Sequence, residues 1–267
     1  MEGDRVMFIE KPVTAGQGPR LSPRVERLGT TERTVSVVIP TLNEEQNIRW
    51  VLERLPDLVT EVVLVDGRST DRTVEIARAI RPDIEVVLES KPGKGAALRA
   101  GFAAATGDYI VMIDADGSMD PSEIERFVDA LQSGYEFVKG SRFAPGGGTS
   151  DISPIRRLGN GALRAAVNTL YRTHFSDLCY GFIGFHRDKL GVLRLRSDGF
   201  EIETEMTVRA VTASLRIGEV ASYEYERQYG ESNLRAWRDG RRALRTLIRE
   251  RLILPETTLA RGTGDGR

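Results

Sequence analysis

Two aspartates separated by one residue close an apolar run near the middle of the sequence. The segment YIVMIDAD places Asp114 and Asp116 on either side of Ala115. Carboxylates this close repel each other and lose solvation when buried, so the pair requires a positive partner. Mg²⁺ and Mn²⁺ suit such a pair, because they prefer oxygen ligands and keep phosphate or water in their remaining positions. The structural alternative is that Asp114 caps a turn and Asp116 faces solvent.

Polar and charged residues end three other short apolar runs. VSVVIPT ends with Pro40 and Thr41, EVVLVD ends with Asp66, and Lys91 follows IEVVLES. The carboxyl ends of parallel strands meet at one edge of a sheet, where α/β proteins bind ligands. We therefore expect these residues to gather beside the aspartate pair and to suit a metal-bound diphosphate that carries a polar ring.

Strands and helices alternate four times in the first half of the chain. The pattern predicts strands over 35–40, 61–67, 84–90 and 109–116, each followed by a helix or a turn. Asn43 is predicted to cap the first helix, and Ser69 or Thr70 the second. This alternation with short connections predicts an α/β fold with a mostly parallel central sheet and helices on both faces.

The second half of the chain is less regular. The pattern predicts a strand over 136–143, a flexible glycine-rich loop over 144–154, one or two helices over 155–172, a helix over 201–214 and strand-like chain over 217–229. The predicted organisation is a flexible tail over 1–34, one domain over 35–233, a basic amphipathic helix over 234–254 and a second flexible tail over 255–267.

Composition narrows the class of protein. A net charge of −1 over 267 residues argues against general nucleic-acid binding. Cys179 is the single cysteine, which excludes an internal disulfide, and two histidines argue against a multi-histidine zinc site. No apolar run approaches the roughly 20 residues that span a bilayer, and the first residues lack a secretory pattern. These features predict a cytoplasmic protein, either free or peripheral on the inner face of a membrane.

Five segments resemble, in this order, the motifs of the family 2 glycosyltransferases. They are VSVVIPTLNEEQNI, EVVLVDGRSTDRT, KGAALRAGF, GDYIVMIDADGSMDP and VKGSRF. The likeness extends over residues 35–235 and is strongest to the dolichol-phosphate mannosyltransferase-like branch. The resemblance implies a GT-A fold, a nucleotide-sugar donor of the GDP-mannose or UDP-glucose type, Mg²⁺ or Mn²⁺ as cofactor, and inversion at the anomeric carbon.

The resemblance also implies roles for individual residues, motif by motif. Asp114 and Asp116 match the metal motif. The residues that match the nucleotide-sugar site are Pro40, Thr41, Asn43, Glu44, Asp66, Lys91, Lys94, Asp114, Ala115, Asp116, Ser141 and Arg142. The residues that match the acceptor side are Arg227 and Ser232. The candidate catalytic residues are Asp116, Arg142, Asp177 and Glu205, with Glu203 as a further candidate base.

The chain departs from this branch at three places. The family often reads Val-Asp-Asp-Gly-Ser-Thr-Asp where this chain has VDGRSTD. Gly117 and Ser118 follow the second aspartate, where the branch has a leucine and a glutamine that assists the metal. Asn233 replaces a lysine that would bind phosphate. The base of the nucleotide and the identity of the acceptor therefore stay open.

Two acceptor classes fit the motifs. A polyprenyl phosphate is already anionic near neutral pH and needs no general base. A hydroxyl acceptor needs a carboxylate to take its proton. The alternative functions are a sugar-phosphate nucleotidyltransferase and a non-catalytic protein that binds a nucleotide sugar. Products distinguish them, since a glycosyltransferase releases nucleoside diphosphate, a nucleotidyltransferase releases pyrophosphate, and a binding protein releases neither.

The last predicted helix has an apolar stripe surrounded by arginines. The stripe consists of Leu234, Trp237, Leu244, Leu247, Ile248 and Leu252. A helix of this kind lies on an anionic membrane surface, docks on its own domain, or packs against a second copy of the chain in a homodimer. The pattern alone leaves the three alternatives open.

Overall fold

The computed structural model describes residues 33–230 and 235–253. Among these residues the strands are β1 (Val35–Thr41), β2 (Glu61–Asp66), β3 (Glu85–Leu88), β4 (Tyr109–Met112), β5 (Phe137–Ser141), β6 (Gly148–Thr149), β7 (Ile183–His186), β8 (Ile217–Ala221) and β9 (Tyr223–Glu224). The helices are α1 (Ile48–Leu52), α2 (Thr73–Ile80), α3 (Lys94–Ala104), α4 (Ile124–Gln132), α5 (Pro154–Tyr171), α6 (Leu190–Leu193), α7 (Ile202–Thr212) and α8 (Ala236–Ile253).

A seven-stranded sheet in the order β3-β2-β1-β4-β7-β5-β8 organises the chain. Strands β1 to β4 are parallel to their neighbours among themselves, and β5 is parallel to β8. The exception is β7, which runs antiparallel between β4 and β5. The prediction of an α/β fold with a mostly parallel sheet is therefore confirmed.

The strands form because short β-branched runs are buried on both faces of the sheet. Val37 and Ile39 of β1 pack into the core on the side of α1, α2 and α4, and Val38 packs into the core on the side of α3, α5 and α7. Helix α3 lies very close to the sheet at Gly101. A Cβ atom at that position would lie 2.6 Å from a methyl of Val65, so only glycine fits. This close contact holds the start of α3 at the carboxyl edge of the sheet.

Both predicted caps in the first half are wrong. Helix α1 begins at Ile48 rather than near Asn43, and the Oδ1 atom of Asn43 accepts a hydrogen bond from the backbone N–H of Thr70 at 2.8 Å. Helix α2 begins at Thr73, and the N–H of Ser69 donates to Asp66. These polar residues connect the loop after β1 to the loop after β2, which the local pattern of a helix start cannot show.

The remaining elements follow the predictions with shorter bounds or added pairing. Strand β4 ends at Met112, so both aspartates of the motif lie in the following loop. The glycine-rich loop over 144–154 contains β6, which pairs in parallel with β9. Helix α5 is a single helix with Ser153 as its N-cap. The predicted tails fall almost entirely outside the described residues. None of the described helices combines the length and the apolar composition that crossing a bilayer requires.

Candidate active site

The positive partner of the first aspartate, Asp114, is Lys94, the first residue of α3. Its Nζ atom lies 2.6 Å from Oδ1 of Asp114 and 2.8 Å from Oε1 of Glu203 in the first turn of α7. Burial lowers the pKa of Lys94, but the two carboxylates outweigh burial and the pKa is raised. Burial also raises the pKa of Asp114, more than Lys94 lowers it. Two carboxylates thus share one ammonium group at the carboxyl edge of the sheet.

The second aspartate of the motif pairs with a different cation. The Nη2 atom of Arg227 lies 2.8 Å from Oδ2 of Asp116, and its Nη1 atom lies 3.3 Å from Glu44. The chain around this arginine crosses the motif, since the N–H of Gln228 donates to the carbonyl of Asp116 and the N–H of Tyr225 donates to the carbonyl of Ser118. Arg227, predicted on the acceptor side, is therefore in contact with the aspartate motif itself.

A polar cavity of about 350 Å³ adjoins this arginine. Its lining is Leu42, Asn43, Glu44, Glu45, Gln46, Asn47, Asp71, Arg227, Tyr229 and Gly230. The Oδ1 atom of Asn47 is buried and has no hydrogen-bond partner among the described residues. Burial raises the pKa of Glu44. The cavity therefore offers hydrogen-bond acceptors to a polar ligand.

The other residues predicted for the nucleotide-sugar site lie along the same edge of the sheet. Thr41 and Asp66 are paired in register at the ends of β1 and β2. The carboxylate of Asp66 is buried and accepts hydrogen bonds from the N–H groups of Arg68 and Ser69. Lys91 lies 2.8 Å from Asp198, Pro40 is the residue before Thr41 in β1, and Ala115 is buried between the two aspartates. The first strands thus gather their polar ends as predicted from the topology.

Arg142 and Asp177 form a buried ion pair instead of an exposed phosphate site. The Nε atom of Arg142 lies 2.7 Å from Asp177, and its Nη1 atom lies 3.0 Å from Glu224. Burial would raise the pKa of Asp177, but the hydrogen bonds and charge of Arg142 outweigh it and lower that pKa. Ser141 likewise bonds to Ser176 at 2.6 Å. These residues connect β5 to the chain that follows α5 and to β9.

Glu205 lies outside the charged cluster. Its carboxylate is fully buried and accepts hydrogen bonds from the N–H groups of Arg196 and Ser197, and Arg209 lies 2.8 Å away. Because Glu203 and Glu205 are two residues apart on a helix, they point in different directions. The structure brings Glu203 to Asp114 and uses Glu205 to hold the loop before α7.

A second cavity, of about 470 Å³, lies between α5, α7 and α8, and Glu203 is one of its lining residues. Most of its lining is apolar, with Ile152, Ile155, Leu158, Ala162, Leu163, Phe200, Trp237, Ala243 and Leu244. Arg142 and Cys179 also line the cavity, and burial raises the pKa of the Cys179 thiol to about 12. The sequence analysis missed this cavity. The signal in the sequence that could have indicated the cavity is the number of apolar residues on α5 and α8, two helices that are also rich in arginine.

The two carboxylates of the motif suit a cation whose other ligands are phosphate and water oxygens. Among the described residues no group of three or more histidine, cysteine, aspartate or glutamate side chains is arranged to hold a metal ion. Asp114 and Asp116 supply two carboxylates, which fits Mg²⁺ or Mn²⁺ that keeps phosphate and water oxygens. Ser232 and Asn233 lie outside the described residues.

Comparison with known proteins gives matches of three kinds. The family model described as glycosyl transferase family 2 matches residues 36–193. Glycosyltransferase AglJ of Haloferax volcanii is 33% identical over 216 residues, which cover 79% of this chain and 69% of that protein. The low-salt glycan biosynthesis hexosyltransferase Agl6 of the same organism is 36% identical over 223 residues, covering 80% of this chain and 53% of that protein, so the chain spans about half the length of Agl6.

Solved structures of one enzyme also match. Glucosyl-3-phosphoglycerate synthase from Mycobacterium tuberculosis, in complex with Mn²⁺, uridine diphosphate and phosphoglyceric acid, has a TM-score of 0.66 and 25% identity. The match covers 86% of this chain and 85% of that one. The same synthase has been crystallised with Mg²⁺ and uridine diphosphate.

Proposed function

The chain belongs to glycosyl transferase family 2, and we propose that it moves a hexose from a nucleotide sugar to an acceptor with inversion at the anomeric carbon. It is a transferase enzyme with the α/β fold of GT-A glycosyltransferases. The donor we propose is of the GDP-mannose or UDP-glucose type, and the cofactor is Mg²⁺ or Mn²⁺. The solved synthase supports this proposal, because its structures contain Mn²⁺ or Mg²⁺ together with uridine diphosphate.

The observation that carries the proposal is that each aspartate of the motif is linked through a cationic side chain to the lining of a different cavity. Arg227, which pairs with Asp116, lines the polar cavity, and Glu203, whose carboxylate shares Lys94 with Asp114, lines the apolar cavity. Donor and acceptor would therefore approach the motif from two sides. A displacement at the anomeric carbon needs this arrangement, since the acceptor attacks opposite the leaving diphosphate.

The residues of the chain have distinct tasks in this proposal. Asp114 and Asp116 would hold the cation, and Lys94 keeps Asp114 in place. When bound, a divalent cation supplies positive charge that stabilises the departing diphosphate. Arg227 and Lys94 add positive charge beside the motif, where the leaving group becomes more negative. Arg142 has its guanidinium committed to Asp177 and Glu224, so we assign it and Asp177 a positioning role.

We propose a polyprenyl phosphate as the acceptor, as in the dolichol-phosphate mannosyltransferase-like branch. The apolar lining of the larger cavity suits an isoprenoid chain, and Arg156 and Arg241 line the same cavity and suit a phosphate. A phosphate acceptor is already deprotonated, so no carboxylate has to take a proton. An enzyme with this acceptor would work at the surface of a membrane.

A soluble hydroxyl acceptor is the second candidate, and Glu203 is the observation in its favour. This carboxylate borders the acceptor cavity and lies next to the metal motif, where a general base would be needed. The matched synthase structures with phosphoglyceric acid are consistent with a small phosphorylated acceptor in a related site.

Donor binding and product analysis test the proposal. The full chain is mixed with a panel of nucleotide sugars, with Mn²⁺, with Mg²⁺ or with a chelator, and its melting temperature is measured. The true donor should raise the melting temperature in a metal-dependent way. Short-chain polyprenyl phosphate and phosphoglycerate are then compared as acceptors by the release of nucleoside diphosphate. Release of pyrophosphate in a parallel assay with nucleoside triphosphate and sugar phosphate, or no donor response with either metal, would refute the proposed function.

The variant Asp116→Asn tests the metal role of this aspartate in the same experiment. The variant should fold normally and lose the metal-dependent response to the donor, because one of the two metal-binding carboxylates is gone. Asp188→Asn is the matched control, since Asp188 is an exposed aspartate whose carboxylate pairs with Lys189 and lies far from the motif in sequence. Equal donor responses in both variants would count against the metal role of Asp116.

A further inference from the structure

We infer that the outer surface of α5 and α8 docks on an anionic lipid bilayer, with the mouth of the acceptor cavity inside the contact area. We call this surface the α5/α8 face. Its exposed members are Ile155, Arg157, Leu158, Arg164, Leu170, Trp237, Arg238, Arg241, Arg242, Leu244, Arg245, Ile248, Arg249, Leu252 and Ile253. The inference deepens the proposed function, and only the identity of the cavity's occupant rests on that function.

The α5/α8 face exposes large apolar side chains to an unusual extent. More than half of the exposed large hydrophobic residues of the described chain lie on these two helices. Trp237 is 81% exposed, Leu158 is 76% exposed and Ile155 is 60% exposed. Contiguous apolar surface of this kind marks an interaction site, since isolated exposed side chains are common and clustered ones are not.

The charges between these apolar residues are of one sign. Helix α5 contains no acidic residue, and the two acids of α8, Asp239 and Glu250, are buried. The charged side chains that remain exposed on both helices are therefore arginines, although the whole chain has a net charge of −1. Arginines interspersed with tryptophan and leucine are complementary to anionic headgroups above an acyl layer. A nucleic acid would leave Trp237 and Leu158 without an apolar partner.

Helix α8 is fixed to the domain by its inner side, so its outer side is presented in a defined orientation. Leu247 is fully buried, and the hydroxyl of Tyr171 in α5 donates to the carbonyl of Leu247 at 2.9 Å. Glu250 bonds to Arg209 of α7 at 2.9 Å. Docking on its own domain, one of the alternatives for this helix, thus describes its inner side and leaves the outer side for another partner.

The apolar cavity opens on the α5/α8 face. Ile155, Leu158, Trp237 and Leu244 line the cavity and are also exposed, so they form its mouth. Arg241 lines the same cavity and is also exposed. A lipid phosphate could therefore enter from the bilayer toward Glu203 without exposing its hydrocarbon chain to water.

Vesicle binding by the full chain tests the inference without any donor or acceptor. Binding to phosphatidylcholine vesicles with and without phosphatidylglycerol is measured by co-sedimentation at low and at high salt. We expect binding that requires the anionic lipid and weakens at high salt. The double variant Arg241→Gln/Arg245→Gln should bind at least tenfold more weakly, because each arginine near an anionic surface contributes about fivefold. Leu158→Gln should also reduce binding.

Two control variants change residues that do not belong to the α5/α8 face. Leu88→Gln changes a leucine that is 74% exposed, nearly as exposed as Leu158, and Arg78→Gln changes an exposed arginine of α2. Neither should alter vesicle binding. Trp237 gives a direct readout when Trp50, the other tryptophan, is replaced in Trp50→Phe. Its fluorescence should shift to shorter wavelength on anionic vesicles and be quenched by brominated lipid.

The following results would overturn the inference. No binding to anionic vesicles at low salt, or equal binding of Leu158→Gln and Leu88→Gln, removes the membrane as partner. A dimer in light scattering that Leu158→Gln converts to monomer, without vesicle binding, assigns the α5/α8 face to a second copy. Failure of the proposed function is recognised separately, because donor hydrolysis and donor-dependent melting are measured without vesicles.

Discussion

Arg227 makes the two aspartates of the motif electrostatically different. Asp114 is neutralised by Lys94, which it shares with Glu203, whereas Asp116 is neutralised by an arginine that also contacts Glu44. Lys94 starts a helix that is packed tightly on the sheet, while Arg227 belongs to an irregular segment near the end of the described domain. A cation bound at Asp116, as we propose, would therefore compete with Arg227, and Arg227 would become free to contact the diphosphate.

We predict that Arg227→Gln binds Mn²⁺ more tightly in the absence of nucleotide. The variant removes a positive charge that contacts the same carboxylate as the metal, and a charge-assisted hydrogen bond of about 2 kcal/mol corresponds to at least a tenfold change in affinity. Titration calorimetry or electron paramagnetic resonance of Mn²⁺ measures it directly. Arg126→Gln is the control, since Arg126 pairs with Glu123 at 3.7 Å away from the motif. Weaker or unchanged Mn²⁺ binding would contradict the competition.

Glu203 and Glu205 allow a second test at the same scale, because they separate activity from stability. With a hydroxyl acceptor, Glu203→Gln should lower kcat by about 10²-fold or more, as expected for a general base. With a phosphate acceptor the loss should be small. Glu205→Gln should instead lower the free energy of unfolding by about 3 kcal/mol, because it disrupts a buried pair with Arg209. Urea denaturation and steady-state kinetics of both variants check the assignment, and the reverse pattern would exchange the two roles.

Among the elements, α3 carries Lys94 into the site, and its position depends on two glycines. The N–H groups of Gly95 and Ala96 donate to the carbonyl of Asp198 in the loop before α7. A Cβ on Gly95 would lie 2.8 Å from the carbonyl carbon of Asp198 and 2.9 Å from the carbonyl oxygen of Gly199, and these are backbone atoms that cannot rotate away. Gly93 adopts a φ of 119°, which L side chains rarely do.

We predict that Gly95→Ala destabilises the protein by about 1 to 3 kcal/mol, the usual cost of overpacking, and weakens donor binding by displacing Lys94. Gly161→Ala in α5 is the matched control, since nothing lies within 4 Å of a Cβ at that position. It should be neutral or stabilise by up to about 1 kcal/mol, because alanine favours helix more than glycine does. Thermal and urea denaturation of both variants measure the difference. Equal changes in the free energy of unfolding of the two variants would mean that the loop before α7 shifts to accommodate the added methyl group.

The alternating elements of the first half could be predicted because each strand is a continuous β-branched run and each is followed by a short polar connection. The same local signals failed at Asn43 and Ser69, since their hydrogen bonds join two loops that are distant in sequence. Strand β7 could not be placed from its sequence either. Its antiparallel position between β4 and β5 depends on pairing with strands more than 40 residues away.

The sequence predicted the part of the candidate site that lies at the ends of the parallel strands. It did not predict the contacts that the second half of the chain makes with those residues. Asp114, Asp66 and Thr41 reach one edge because parallel strands end together. The contacts of Lys94 with Glu203 and of Asp116 with Arg227 cross more than 100 residues of sequence. The apolar cavity between α5, α7 and α8 is of the same kind, because neither helix alone shows which of its apolar residues will face another helix.

At the scale of the whole molecule, Arg142 connects three segments that are distant in the sequence. It extends from β5 to Asp177, which follows α5, and to Glu224 in β9, and all three side chains are buried. The pKa of Asp177 is lowered in the folded state because the hydrogen bonds and charge of Arg142 outweigh burial. A carboxyl whose folded pKa is depressed contributes stability above its unfolded pKa of about 3.9 and loses that contribution as the pH falls through the folded value.

We therefore predict that Asp177→Asn lowers the free energy of unfolding at pH 7 by about 3 kcal/mol, because the buried Arg142 loses one of its two carboxylate partners and keeps only Glu224. The gap between the variant and the natural chain should shrink progressively as the pH falls below about 4, because Asp177 then binds a proton in the unfolded chain, and the contribution is lost as the pH falls through the lowered folded pKa. Urea denaturation at a series of pH values from neutral to acidic measures both effects. A gap of constant size would show that Asp177 acts through packing, and the ion pair would then not couple the strands. Since Arg142 also lines the apolar cavity between α5, α7 and α8, a shrinking gap would show that the ionised pair stabilises the part of the fold that forms this wall of the cavity at neutral pH.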